Sequence, residues 1–129
     1  MKKLFTAIRA SDLEMVRQII EKKPELVNCV AKKPPKKDDG QSPLQVALKT
    51  GNTAIANYLL DMGADVNFIE DETCCNAWRT PVLHDAINCA VMSCRWNIDD
   101  KYMGFREFST KERAVEALGV LKRMLDMGA

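Results

Sequence analysis

Few side chains in this 129-residue sequence have the type and spacing for chemistry: one histidine, five cysteines, two adjacent aspartate pairs and one lysine run. His84, Cys89 and Cys94 fall five residues apart. On a helix each such step turns the next side chain about 140° away, so the three cannot converge on one ion, and no metal site is expected. No cysteine pair has the C-x-x-C spacing of a zinc knuckle or redox dithiol. Nucleophilic catalysis would need His84 to serve Cys29, Cys74 or Cys75 and a third group to orient it; nothing in the spacing marks such a set. Asp99 and Asp100 fall in a polar turn, where solvated carboxylates are the expectation. No glycine-rich phosphate cradle is present, and no cofactor is expected. The reading is that the chain is not an enzyme.

The run Lys32-Lys33-Pro34-Pro35-Lys36-Lys37 could meet phosphates, but Asp38-Asp39 follow at once and no aromatic residue is interleaved. A contact with an acidic protein suits it better than nucleic acid. Charge over the whole chain is nearly balanced, 19 Lys+Arg against 18 Asp+Glu, so no overall field selects nucleic acid or a membrane. The balance is uneven along the chain, because residues 1–37 hold 10 basic and 4 acidic side chains while 38–129 hold 9 and 14. Aromatics are 6% of residues, too few for a base-stacking platform. The odd number of cysteines favours a reducing compartment, and no segment approaches the roughly 18 apolar residues of a membrane helix. A cytoplasmic protein is expected.

The elements that would position these groups recur along the chain. Gly40-Gln41-Ser42-Pro43-Leu44-Gln45-Val46-Ala47-Leu48 leads to Thr50-Gly51-Asn52, then Ile55, Leu59-Leu60 and Gly63-Ala64-Asp65-Val66-Asn67. Ser42 before Pro43 predicts a capped helix start, and Gly51 and Gly63 predict left-handed exits. Leu44, Ala47 and Leu48 share one face, where small Ala47 allows close approach. Forty residues earlier Leu4, Ala7, Met15 and Ile19-Ile20 match Leu44, Ala47, Ile55 and Leu59-Leu60; Pro24 to Asn28 closes that copy without the Gly-Ala pair. Thr80-Pro81-Val82-Leu83-His84-Asp85-Ala86 opens a third copy with one extra residue, and Leu125-Asp126-Met127-Gly128-Ala129 closes it.

This segment resembles the ankyrin repeat pattern, Gly-x-Thr-Pro-Leu-His-x-Ala followed by Gly-His and Leu-Leu-x-x-Gly-Ala-Asp-Val-Asn. It departs from that pattern mainly at Ser42, Gln45 and Asn52. The resemblance implies an all-α solenoid of three helix pairs with hairpin-like arms: copy one over 1–30, copy two over 39–69 and copy three over 78–129, forming one domain. Ala7, Ala47 and Ala86 lie 40 and 39 residues apart, so each connecting arm carries about six or seven extra residues relative to the roughly 33-residue ankyrin period. Leu60 and Leu125 are 65 apart, which leaves an insertion at about 92–112 inside copy three. Leu83, Ala86, Ile87, Ala90, Val91 and Cys94 form a stripe that lengthens its first helix. Ser109 and Glu112 have capping-box spacing, so the last helix is expected from near Thr110 to Asp126. The tip between them holds Trp96, Tyr102, Phe105 and Phe108.

The resemblance further implies protein binding through the arm tips and the exposed face of the first helices. Carried over position by position, this gives Arg9, Gln45, Lys49 and Asp85 on the helix face. On the arms it gives Lys32, Lys33, Lys36 and Lys37, and Glu70, Asp71, Glu72 and Trp78, with Trp78 as the aromatic anchor. It also implies inter-repeat hydrogen bonds from His84. The ends of the stack differ. The second helix of copy one has a wide polar back, whereas apolar residues of the last helix spread over roughly 220°, more than one neighbour covers. The expectation is that this face meets further chain, a partner or a second copy. An alternative reading makes the chain the recognition segment of a longer enzyme or effector.

Overall fold

The computed structural model describes residues 1–32, 38–70, 80–93 and 111–129. Lys33, Lys36 and Lys37, the second arm's Asp71, Glu72 and Trp78, and the insertion tip lie outside these residues. Six α-helices are described: α1 (Lys2–Arg9), α2 (Leu13–Lys22), α3 (Pro43–Lys49), α4 (Thr53–Asp61), α5 (Val82–Ser93) and α6 (Lys111–Asp126), with a 3-10 turn at Pro24–Asn28 after α2. The described residues contain no strand, only an isolated antiparallel bridge between Ile69 and Pro81.

Local chemistry explains most boundaries. Ser42 Oγ accepts from the Gln45 N–H at 3.3 Å, and Pro43 occupies the first turn of α3, where its missing N–H goes unmissed. Asp12 caps α2 by accepting from Met15 N–H at 3.1 Å. Gly51 has φ +75 and ends α3 as the sequence predicts, and Gly63 at φ +93 ends α4. At the position matching Gly51, copy one instead places Ser11 at φ +58, a left-handed conformation that disfavours a side chain. Within the described residues the last helix runs over Lys111–Asp126, ending at Asp126 as expected.

The helices stack as two rows. In one row α3 packs between α1 and α5, and in the other α4 packs between α2 and α6. Leu4 and Ile8 of α1, Leu44, Val46 and Ala47 of α3, and Val82 and Ala86 of α5 are buried in one continuous core with Val16, Ile20, Ile55, Leu59, Val120 and Met124 of the second row. Each fully buried aliphatic side chain stabilises the stack by about 1.5–3 kcal/mol relative to leaving it in water. A smaller cluster, Cys89 and Ala90 against Ala117, extends the α5–α6 contact, with Leu121 packed against both clusters. This is a solenoid of three helix pairs.

Polar contacts join successive pairs. Asn52 Nδ2 donates to the Ile8 carbonyl at 2.9 Å, joining the first two turns, and Thr53 Oγ1 donates to Glu116 Oε2 at 2.9 Å, joining copy two to α6. In the second row the Arg17 guanidinium lies 5.4 Å from the Tyr58 ring centroid, and Arg123 donates to the Asn57 carbonyl and Oδ1, both at 3.2 Å, while pairing with Asp61. The bases of both arms are paired in the same register. Ala31 N–H donates to the Gln41 carbonyl at 2.9 Å, and at the equivalent place in arm two Glu70 N–H meets the Thr80 carbonyl at 3.4 Å.

The two ends of the stack differ as the apolar patterns imply. The back of α2 presents Glu14, Arg17, Gln18, Glu21 and Lys22 to solvent. On the third pair Ile87 and Val91 of α5 and Val115, Leu118 and Leu125 of α6 are exposed, Val115 by 64%.

Candidate partner-binding surface

Polar residues on the row of first helices form two clusters, each tying an arm to the stack. In the first, Asp38 at the base of arm one is buried, with its side chain 2% exposed, and receives both Arg9 of α1 and Lys49 of α3. Arg9 Nε donates to Asp38 Oδ2 at 2.9 Å and to Oδ1 at 3.2 Å, Arg9 Nη2 also pairs with Oδ1, and Lys49 Nζ lies 3.0 Å from Oδ1. Burial pushes the Asp38 carboxyl up, but the bonds from Arg9 and Lys49 outweigh it and hold the group below its ordinary range. The same bonds raise Arg9, whereas burial dominates at Lys49 and lowers it.

The second cluster ties arm two to the second and third copies. Gln45 Nε2 donates to Glu70 Oε1 at 3.1 Å, to the Thr80 carbonyl at 3.0 Å and to Asp85 Oδ2 at 3.0 Å, so two hydrogens are shared among three acceptors. Gln41 Nε2 also donates to Glu70 Oε1, at 2.9 Å. Burial pushes the Asp85 carboxyl above its ordinary value, despite the Gln45 bond that pulls it down. Gln41 Oε1 and Gln45 Oε1 are buried without a hydrogen-bond partner among the described residues.

These clusters revise the expected contact set. Gln45 is fully buried and Glu70 is 1% exposed, so neither presents its side chain to a partner; both hold the second arm against the stack. Glu70 lies against Gln41 and Gln45, and the two glutamines supply the donors a buried carboxylate requires. Arg9 and Lys49 are part-exposed at 27% and 21% of the side chain, Asp85 is half-buried and Lys32 is exposed, so these four remain reachable. Lys33, Lys36, Lys37, Asp71, Glu72 and Trp78 lie outside the described residues.

His84 also differs from expectation. It is exposed, with Nε2 3.1 Å from Asn88 Nδ2 one turn along its own helix, and Gln45, at the matching position of α3, makes the inter-repeat bonds instead. The physical reason is position: α3 has α5 beside it, whereas α5 ends the row of first helices among the described residues. Asp38 and Gln41 are structural residues that helical periodicity did not mark, because both lie outside the α-helices. The signal for Gln41 is its register with Thr80, which opens the following copy.

Among the described residues no group of histidine, cysteine and carboxylate side chains is arranged to hold a metal ion, and no helix is long and apolar enough to cross a membrane. No curated protein and no solved structure matches the chain. The family model described as ankyrin repeats (3 copies) matches residues 2–70, just over half of the chain and the stretch that carries the first two helix pairs and the base of the second arm. With that match and three stacked helix pairs, the chain belongs to the ankyrin repeat family.

Proposed function

We propose that this chain is a non-enzymatic interaction module that binds a partner protein along the row of first helices and the arms beside it. Ankyrin repeats generally mediate protein–protein interaction. The observation that carries the reading here is the buried Asp38, which pins arm one against both Arg9 and Lys49 and so holds a part-exposed cationic pair in fixed geometry. A surface whose charged groups are already ordered loses less entropy on binding. The contact set is Arg9, Lys32, Lys49 and Asp85, with Lys33, Lys36, Lys37, Asp71, Glu72 and Trp78 carried from the sequence. The two signs of charge select a partner with complementary patches. The odd number of thiols supports activity in a reducing compartment, the cytoplasm.

The test is affinity capture with the purified chain, comparing wild type, Trp78→Ala and a variant with Lys32, Lys33, Lys36 and Lys37 changed to glutamine. A partner retained by wild type and lost by both variants supports the reading. Equal retention by all three, or no retained protein, rejects it. A second reading, that the chain is the recognition segment of a longer enzyme or effector, is favoured by the exposed Ile87, Val91, Val115 and Leu118 of the third pair. A longer gene product detected with an antibody to the chain is its test.

A further inference from the structure

The two arms meet their helices in the same register but with opposite chemistry. In the second copy Gln41 and Gln45 hold the buried Glu70 carboxylate. In copy one the positions of the two glutamines are taken by Met1 and Phe5, and the arm position equivalent to Glu70 is Ala31. The three-residue polar lock of copy two is therefore an apolar set in copy one, and the arm side chain that would fill it is a single methyl group. What remains is a recess of about 150 Å³ between α1 and arm one. Phe5 and Ala31, 6% and 4% exposed, line it, with Met1 alongside.

Its surroundings are cationic. Lys2, Arg9 and Lys32 also line the recess, and Lys2 and Lys32 are exposed. Asp38 is the one acidic residue among those lining it, and its carboxylate is engaged by Arg9 and Lys49, a set that carries net positive charge. The volume suits one side chain and is smaller than cofactor pockets, which start at about 300 Å³.

Resting on the interaction-module reading, we infer that this recess receives an acidic peptide segment of the partner, which inserts one large apolar side chain against Phe5 and Ala31 and sets flanking carboxylates on Lys2, Lys32 and Arg9. The occupant takes the place that the chain's own Glu70 fills in the next copy. Apolar burial supplies the anchor, and the cationic border discriminates against basic or neutral segments.

The experiment selects a phage-displayed library of random nine-residue peptides on the immobilised full chain, then measures recovered peptides by fluorescence polarisation. Expected sequences place Leu, Met or Phe between Glu or Asp residues. Ala31→Glu, which writes the second arm's residue into the first, should weaken their binding at least tenfold. So should the double variant Lys2→Glu with Lys32→Glu, whose changes lie at exposed positions and leave the core intact. Lys22→Glu, on the back of α2, should leave binding unchanged. The inference is overturned by recovered peptides without acidic enrichment, by binding that survives the Lys2 and Lys32 changes, or by recovery no better than on an unrelated protein. A captured partner protein that ignores these variants yet requires the arm lysines or Trp78 would sink the recess and leave the broader reading standing; absence of any captured partner rejects the broader reading itself.

Discussion

Asn28 closes one copy and grips the next: its Nδ2 donates to the Gly63 carbonyl at 3.2 Å while its Oδ1 accepts the Asp65 N–H at 2.8 Å. Asn67, at the matching position of the second copy, repeats the first of these bonds on the Gly128 carbonyl at 3.3 Å. The side chain thus satisfies the orphan groups of a neighbouring helix end, a task that within one helix falls to a capping residue.

Asn28→Ala should destabilise the stack by about 1 kcal/mol, the usual net worth of an exposed hydrogen-bonding side chain, and Asn67→Ala by less because it loses one bond of the pair. Urea denaturation followed by circular dichroism measures both. Equal stability of wild type and Asn28→Ala would remove the inter-repeat role.

Asp38→Ala strands Arg9 and Lys49 beside a vacated buried site. Removing one partner of a fully buried ion pair costs about 3–5 kcal/mol, and the partial exposure of both cations reduces the expected loss to about 2 kcal/mol. The carboxyl is held below its ordinary value in the folded chain, so its contribution is present above the unfolded value and drains away as pH falls through the folded one. Wild type should therefore lose stability in acid more steeply than Asp38→Ala, as read from urea midpoints at several pH values below about 5.

Asp85 carries the opposite sign. Its carboxyl is raised in the folded chain, so its contribution is complete below the unfolded value and is lost as pH rises through the folded one. Asp85→Asn keeps an acceptor for Gln45 and removes the desolvated charge. At pH 7 it should be as stable as wild type or more so by up to about 1 kcal/mol, with a flatter dependence between about pH 4 and 7. A variant clearly weaker than wild type at pH 7 would mean the charge itself is needed.

Glu70→Ala should be the most damaging of these changes, at about 2–4 kcal/mol, because Gln41 and Gln45 both lose a buried acceptor. Val115→Glu and Leu118→Glu, at exposed positions of α6, should stay within about 0.5 kcal/mol of wild type and lower the binding of a hydrophobic dye. Thermal melts and dye titration of the three variants side by side test the contrast between a buried polar lock and an exposed apolar face.

What the sequence alone determined is what depends on neighbours within one turn. Ser42 before Pro43 starts α3, Gly51 and Gly63 take left-handed exits, and the apolar stripe carries α5 out to Ser93, because caps, turns and amphipathic faces are decided by backbone dihedrals and 3.6-residue periodicity. The stacking of three pairs was legible too, since the copies repeat at nearly constant spacing. Only the tertiary structure decided which polar side chains are spent inside. Gln45 and Glu70 read as surface residues by type, yet their roles depend on partners far off in sequence, brought together only when the helix pairs stack. Ser11 adopting the left-handed turn that Gly51 makes in copy two belongs to the same class, because packing of the stack overrides the local preference of a side chain.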